Sequence, residues 1–386
     1  MKKYITANEA VAHAARLARV EVVAAYPITP QTTIVEKIAS FIANGEMDAD
    51  YLKVESEHSA LTACMGVRMA GVRAFTSTSS QGLEYMHEML AYVSGGRYPL
   101  VLVNVCRSVA LPWSIWGDQQ DAIQQRDTGW IQIFTETGQE ALDITLQAYR
   151  IAEDHRILLP VMICLDGFIQ SHTEELVKIP DQESVDSFLP AYDPVVTLDV
   201  DNPYSISFGG FGKYYTAWRK EQQEAAEKAR EVIVEIDDEF TRICGRHYGG
   251  LIEQYRCEGA EAVILTLGAF TGTAREVVDE MRENGKAVGL IKVRAFRPFP
   301  VQQLRQALSG IRGAAVLDRD CSWGYEGALA TDLKAALYGL PDCPAVLGFI
   351  GGLAGSDITP EHMNYMLEKA LNAKKGTRAE TEFIGL

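Results

Sequence analysis

Four short stretches of the chain carry side chains whose type and placement could do chemistry. In "KVESEHSALTACMG" (53–66), Glu55, Glu57 and His58 stand where an apolar run ends and a run of small apolar residues begins. An acidic residue is favoured by the dipole in the first turn of a helix, so Glu57 fits a helix start with Ser56 as N-cap. In "AAYPITPQT" (24–32), Pro27 and Pro30 restrict the backbone around Thr29 and hold its hydroxyl in one direction, with Pro30 suited to the first helical position. Arg107 follows the apolar run "VLVNVC", and a guanidinium there can grip a carboxylate through two parallel hydrogen bonds or end in a surface ion pair. Trp113 and Trp116 lie in the loop "ALPWSIWGDQQD" (110–121), where they could line an apolar pocket, fill a core or meet another subunit. His58 and His87 read as hydrogen-bonded helix residues. "LGAFTGTAREV" (267–277) reads as a strand-to-helix turn, because it lacks the G-x-G-x-x-G of a dinucleotide site.

These residues need a scaffold that brings strand ends together. Over the first 170 residues, apolar runs at 20–27, 51–54, 72–79, 98–105 and 159–166 alternate with helical patterns at 30–45, 56–71, 82–95 and 139–154. Strands apolar on both faces and separated by helices predict a parallel sheet covered on each side. Ligands bind at the carboxyl ends of such strands, and "YPITPQT", "ESEH", "TSTSSQG" and the Arg107 loop all follow strands. The rhythm stops at 177–212, where Pro, Asp, Gly and Tyr gather into a surface excursion, and a charged helix with an apolar stripe over 215–245 reads as a solvated connector. Strands at 261–268, 286–293, 313–319 and 345–352, with helices at 271–284, 301–309 and 324–338, predict a second, smaller α/β unit. The expected division is 1–176, 177–258, 259–370 and a tail at 371–386.

With 386 residues, 47% hydrophobic and 23% charged, the chain has the composition of an ordinary globular protein of two or three domains. The net charge of −16 argues against affinity for nucleic acid or an anionic membrane surface. The N-terminus has amphipathic helical spacing without the features of a signal peptide, and no run is long enough for a membrane span, so a cytoplasmic location is expected. The seven cysteines are scattered with no C-x-x-C pair, so no metal site is expected in this chain, and any iron–sulfur clusters would sit elsewhere.

Several motifs in order resemble one family. "AAYPITPQT" (24–32), "VESEHSA" (54–60), "FTSTSSQGLEYMHEML" (75–90) and "QQRDTGW" (124–130) look like the pyrimidine-binding subunit of the 2-oxoacid:ferredoxin oxidoreductases, which use thiamine diphosphate. "RAFRPFP" (294–300) and "IGGLAGSDIT" (350–359) resemble that family's second domain. The resemblance implies a parallel-sheet α/β domain binding the coenzyme's pyrimidine, followed by a smaller α/β domain like the C-terminal domain of transketolase. It implies that Glu57 is the carboxyl group that hydrogen-bonds N1′ of the aminopyrimidine, the contact needed for the coenzyme's own 4′-imino group to act as base. It also implies that Thr29 faces substrate and coenzyme, and that Arg107 receives the substrate carboxylate. The tryptophan loop is closer to branched-chain 2-oxoacid members than to pyruvate members.

The diphosphate end of the coenzyme usually needs a G-D-G followed by an Asn that together hold magnesium, and this sequence has no G-D-G. The expectation is therefore an alpha-type subunit in a hetero-oligomer, itself dimerised. A beta-type partner would bind the diphosphate and Mg2+, and gamma- and delta-type partners would serve coenzyme A and the iron–sulfur clusters. The expected reaction is oxidative decarboxylation of a 2-oxoacid to an acyl-CoA, with electrons passing to ferredoxin. Pyruvate, 2-oxoisovalerate and arylglyoxylates all stay open as substrates, as does a nicotinamide nucleotide as final acceptor. The rival readings are another thiamine enzyme, transketolase-like or lipoamide-linked, and a scaffold subunit without chemistry.

Overall fold

The alternation of apolar and amphipathic runs is realised almost run for run. The computed structural model describes residues 1–203, 205, 209–374 and 380–386; residues 204 and 206–208 of the expected excursion and 375–379 of the expected tail lie outside the described residues. The chain begins with β1 (Lys2–Ile5), α1 (Ala7–Leu17), β2 (Val22–Ala25), α2 (Thr32–Ala43), β3 (Asp50–Lys53) and α3 (Glu57–Met69). It continues through β4 (Ala74–Thr78), α4 (Gln81–Tyr85), α5 (His87–Gly95), β5 (Val101–Cys106), α6 (Gln120–Gln124), β6 (Ile131–Phe134), α7 (Gly138–Ala152) and β7 (Val161–Asp166). Next come β8 (Glu175–Lys178), α8 (Gln182–Phe188), α9 (Lys213–Cys244), β9 (Ile252–Tyr255), β10 (Ala262–Thr266), α10 (Thr271–Glu283), β11 (Val288–Val293) and β12 (Ala295–Arg297). The last elements are α11 (Val301–Ala307), β13 (Gly313–Asp318), α12 (Ala328–Leu337), β14 (Ala345–Ile350), α13 (Pro360–Asn372) and β15 (Glu382–Phe383).

Among the described residues the strands form two large sheets and one small ribbon. The first sheet has the order β12-β6-β7-β5-β4-β2-β3, parallel except for the edge strand β12. The second has the order β15-β14-β13-β10-β11-β9, parallel except for β9. β1 and β8 pair antiparallel as a separate ribbon. One face of the first sheet packs on α1, α2 and α7, and its other face shares a continuous apolar core with α3, α5 and the second sheet. The far face of the second sheet is covered by α10 and α13.

The structure differs from the sequence reading in three places. The long helix α9 is not a solvated connector along its length. From Ala225 onward its stripe of Ala229, Val232, Ile233, Ile236 and Phe240 is buried in the first core. Burial of each large apolar side chain contributes roughly 1.5–3 kcal/mol, which favours docking over solvation. Helix α12 starts at Ala328 rather than at 324. The carboxyl of Asp318 accepts from the backbone N–H groups of Leu329 (2.7 Å) and Ala330 (3.1 Å), so the helix begins where those orphan donors are satisfied. β6 is not read from the sequence although it is as long as β2 and β3, and the three-residue β12 comes from a segment that follows the second sheet's strand β11.

No helix among the described residues is long and apolar enough to cross a membrane.

Candidate active site

The parallel order of β2, β3, β4 and β5 brings the segments after all four strands to one edge of the first sheet. Helix α3 begins on Glu57 itself. Ser56 is extended (φ −161°, ψ 164°), and its hydroxyl accepts from the Ser59 backbone N–H at 3.2 Å, which stops the helix one residue before the carboxylate. Glu55 faces solvent and accepts from the Ser59 hydroxyl at 2.5 Å, a bond that holds its carboxyl below the usual range. Glu57 turns the other way and is 8% exposed.

Glu57 is pressed against the next strand end. A Cβ added at Gly82 would stand 2.7 Å from Glu57 Oε1 and closer still to Thr78 Oγ1, so the absence of a side chain at Gly82 is what lets the carboxylate lie there. Among the described residues the Glu57 carboxylate has no hydrogen bond or ion pair, and Thr78 Oγ1 beside it is buried without a partner. The Glu57 carboxylate oxygens are not among the fully enclosed polar atoms, so one side of the carboxylate stays open to a donor from a ligand. A ligand N–H could donate to this acceptor. Gly82→Ala is therefore expected to cost about 1–3 kcal/mol of stability through overpacking, and to weaken coenzyme retention, when thermal unfolding and coenzyme titration of the assembled complex are compared with wild type. Unchanged values in both measurements would contradict this crowding.

Arg107 stands at the end of β5 and is 4% exposed. Its Nη1 donates to the Thr29 carbonyl oxygen at 2.7 Å and its Nη2 to Gln81 Oε1 at 3.1 Å, while its Nε is buried without a partner. The structure thus joins Thr29 and Arg107 directly. Gln81 and Gly82 are adjacent, so one turn touches both the guanidinium and Glu57. Thr29 is exposed.

The two tryptophans part company. Trp113, 68% exposed, lies over the Arg107 guanidinium with 5.5 Å from Cζ to the ring centroid. Trp116, 51% exposed, instead packs on Phe168 at 4.5 Å between ring centroids and against Gly355 of the second unit. The base of their loop is fastened across the two sheets. Gly117 O accepts from Gly355 N (2.8 Å) and Arg319 Nη2 (2.9 Å), and Asp118 Oδ2 accepts from Ala354 N (3.1 Å). Arg319 also pairs with Asp166 at the end of β7. The second sheet's strand ends therefore act as a clamp on the loop that carries Trp113.

His58 lies 3.6 Å from Glu88, and His87 Nδ1 contacts Gln125 Oε1 at 2.6 Å, so both histidines have local partners. Two residues at the site went unmarked in the sequence, Gln81 and Asp121. Gln81 stood in plain view in the polar strand end "TSTSSQG", but an amide gives no sequence signal of its own. Asp121 is fully buried, and burial pushes its carboxyl up to about 7.

Comparison with known proteins identifies the family. Residues 13–238 match the family model described as pyruvate flavodoxin/ferredoxin oxidoreductase, thiamine diphosphate-binding, and residues 260–363 match pyruvate:ferredoxin oxidoreductase core domain II. Pyruvate synthase subunit PorA of Methanothermobacter thermautotrophicus is 49% identical over 385 residues, covering 98% of this chain and 99% of that protein. Ketoisovalerate oxidoreductase subunit VorA of Pyrococcus horikoshii is 47% identical over 369 residues, covering 95% and 93%. Among solved structures, the 2-oxoglutarate:ferredoxin oxidoreductase of Magnetococcus marinus superposes with a TM-score of 0.72 at 18% identity, covering 96% of this chain and 65% of that one. A split-gene transketolase, an inactive beta4 tetramer, gives 0.55 at 12% identity. At those identities the two structures show a shared fold.

Proposed function

The chain belongs to the pyruvate flavodoxin/ferredoxin oxidoreductase family, and on that premise we propose that it is the alpha-type subunit of a 2-oxoacid:ferredoxin oxidoreductase. The observation that carries the reading is the largely buried Glu57 side chain, held against Gly82 with its carboxylate open and unpartnered among the described residues. Thiamine diphosphate, when bound, supplies the nucleophilic carbon and the electron sink for loss of carbon dioxide. Glu57 would hold the proton shared with N1′ of the aminopyrimidine. Arg107 would orient the 2-oxoacid carboxylate, since each of its Nη nitrogens keeps a second N–H beyond the bonds to Thr29 and Gln81. Thr29 would lie between substrate and coenzyme. The exposed indole of Trp113, in contact with the guanidinium, would lie beside a carboxylate bound there, which puts Trp113 on the substrate side. Trp116 would contribute to the pocket only through its packing on Phe168.

A partner chain of beta type would hold the diphosphate and Mg2+, and gamma- and delta-type chains would carry the coenzyme A site and the iron–sulfur clusters. The lack of G-D-G and of clustered cysteines in this sequence supports that division. The relatives' names support a 2-oxoacid substrate, with pyruvate and 2-oxoisovalerate foremost. The same reading places the complex in the cytoplasm, and assigns the pyrimidine half of the site to residues 1–176 and the loop clamp to residues 259–370.

The test is copurification of the native complex, followed by a panel of 2-oxoacids with and without coenzyme A, read as viologen reduction. Turnover that requires a 2-oxoacid and yields an acyl-CoA supports the reading. Transfer of the two-carbon unit to a sugar or to lipoamide, without viologen reduction, would replace it. Arg107→Met is expected to raise KM for the 2-oxoacid about 10- to 150-fold, the loss of a hydrogen bond to a charged group, with coenzyme affinity unchanged. A rise in coenzyme Kd with KM intact would reverse the assignment.

A further inference from the structure

The Arg107 guanidinium is held by more than its own strand, and the holding groups converge on one buried carboxylate. Asp121 Oδ2 accepts from the backbone N–H of Ser80 (2.8 Å), from Asn104 Nδ2 (3.0 Å) and from the backbone N–H of Arg107 (3.1 Å). Its Oδ1 accepts from Ala122 N at 2.7 Å. One oxygen thus ties together the ends of β4 and β5, which hydrogen-bonded pairing alone leaves free beyond Thr78 and Asn104.

Ser80 needs that tie. Its backbone sits at φ 51°, ψ −125°, a region that side-chain-bearing residues rarely adopt. Two bonds hold it there: its N–H to Asp121, and its hydroxyl to the Ser108 carbonyl at 2.6 Å. The strained turn has a consequence one residue later. Gln81 Oε1 accepts from Arg107 Nη2 at 3.1 Å and lies 2.6 Å from Ser80 Oγ, whose single proton it shares with the Ser108 carbonyl. Gln81 Nε2 is buried with no partner, so no other bond competes for the orientation of the amide. The next residue, Gly82, is the one pressed on Glu57.

We propose that Asp121 and Gln81 are positioning residues for Arg107: Asp121 fixes the backbone of Arg107 and the strained Ser80 turn, and Gln81 fixes the guanidinium. Together they set where a substrate carboxylate is received relative to the Glu57 carboxylate. The inference rests on the reading of Arg107 as the carboxylate-binding group.

The experiment is a double-mutant cycle in the assembled complex. It reads KM for the preferred 2-oxoacid, the Kd of oxamate by calorimetry, and thermal unfolding. Gln81→Leu and Asp121→Ala are each expected to raise KM and the oxamate Kd about tenfold or more, as expected for disordering one hydrogen-bonded charged group. Asp121→Asn should be milder, because its amide oxygen can take the Oδ2 position and keep three of the four donors. In an Arg107→Met background, Gln81→Leu and Asp121→Ala should add nothing to either constant, since residues acting through Arg107 have nothing left to position. Full additivity in that background, or an oxamate Kd unchanged by both single substitutions, overturns the inference. Should Asp121→Ala fail to assemble, Gln81→Leu carries the test alone, because it removes no backbone contact. A wild-type complex that neither turns over a 2-oxoacid nor binds oxamate overturns the parent reading as well. An active wild type with an additive cycle overturns only the roles given to Asp121 and Gln81.

Discussion

Glu57→Gln is expected to lower 2-oxoacid-dependent viologen reduction by about 10²- to 10⁴-fold, the range for removing a positioned proton-transfer group. Glutamine matches glutamate in size and can still hydrogen-bond a ring nitrogen, but it cannot hold the proton that the aminopyrimidine must exchange. Stability should barely move. The carboxylate makes no bond within the described part of the chain, Ser56 still caps α3, and loss of one charge from the first helical turn costs at most about 1 kcal/mol. Activity and folding are therefore separable at this position. Glu55→Gln is the matched control: that side chain faces solvent and bonds only the Ser59 hydroxyl, so turnover should stay at the wild-type level. Turnover unchanged in Glu57→Gln would leave the chain a scaffold subunit. Equal losses in both variants would point to a general charge effect at the start of α3.

The parts of the site differ in how much of themselves they write into the sequence. Strands β4, β5 and β7 are apolar or small along their length because both faces are buried, and that composition made them legible. The places of Thr29 and Arg107 were legible because each stands in a motif directly after a buried strand, whereas Glu57 follows the exposed edge strand β3 and was marked by its motif alone; the Thr29 to Arg107 contact follows from their meeting at one sheet edge. Asp121 was not legible, since its work is done through three donors from segments up to 41 residues away in sequence, a relation that only the folded chain contains. The same holds for β12. Its three residues complete the edge of the first sheet by pairing with β6, yet they follow directly on β11 of the second sheet. The clamp formed by Arg319 and Asp166 is likewise a long-range pairing with no local signature. Local chemistry can be read from sequence where a motif marks it, whereas support for that chemistry arises from contacts made across the fold.

Glu140→Gln is expected to destabilise the chain by about 3–5 kcal/mol, the cost of removing one partner from a buried ionic group. Glu140 lies in the first turn of α7 and is almost wholly buried. Its Oε2 accepts from Lys292 Nζ at 2.6 Å and from Glu136 N at 2.7 Å, and its Oε1 from Arg294 Nε at 3.0 Å. Lys292 and Arg294 are themselves buried. Lys292 keeps Glu136 at 2.9 Å as a second partner, but Arg294 would retain the Gly250 carbonyl, the Tyr248 ring and, as its nearest carboxylate, Asp237 at 3.8 Å. The amide thus leaves a guanidinium under-compensated between the first sheet's helix α7 and the segment leaving β11. Burial alone would raise the Glu140 carboxyl, but Lys292 and Arg294 outweigh it and hold the group below its usual range. A carboxyl lowered on folding stabilises the protein fully above its unfolded value, near pH 4.3, and that contribution is lost as pH falls through the folded value. Wild type should therefore lose stability on acidification below about pH 4.3, and Glu140→Gln should lose less of it, because its deficit is already present at pH 7. Urea unfolding of the full chain at pH 7 and at about pH 3 measures both differences. The triple replacement Glu140→Leu, Lys292→Met, Arg294→Met should recover most of the loss, since apolar groups of similar volume remove the charges as well as their attraction. A Glu140→Gln chain as stable as wild type at pH 7 would mean that water or a shifted Asp237 already compensates Arg294, and that this ionic group adds nothing to the joint between the two sheets.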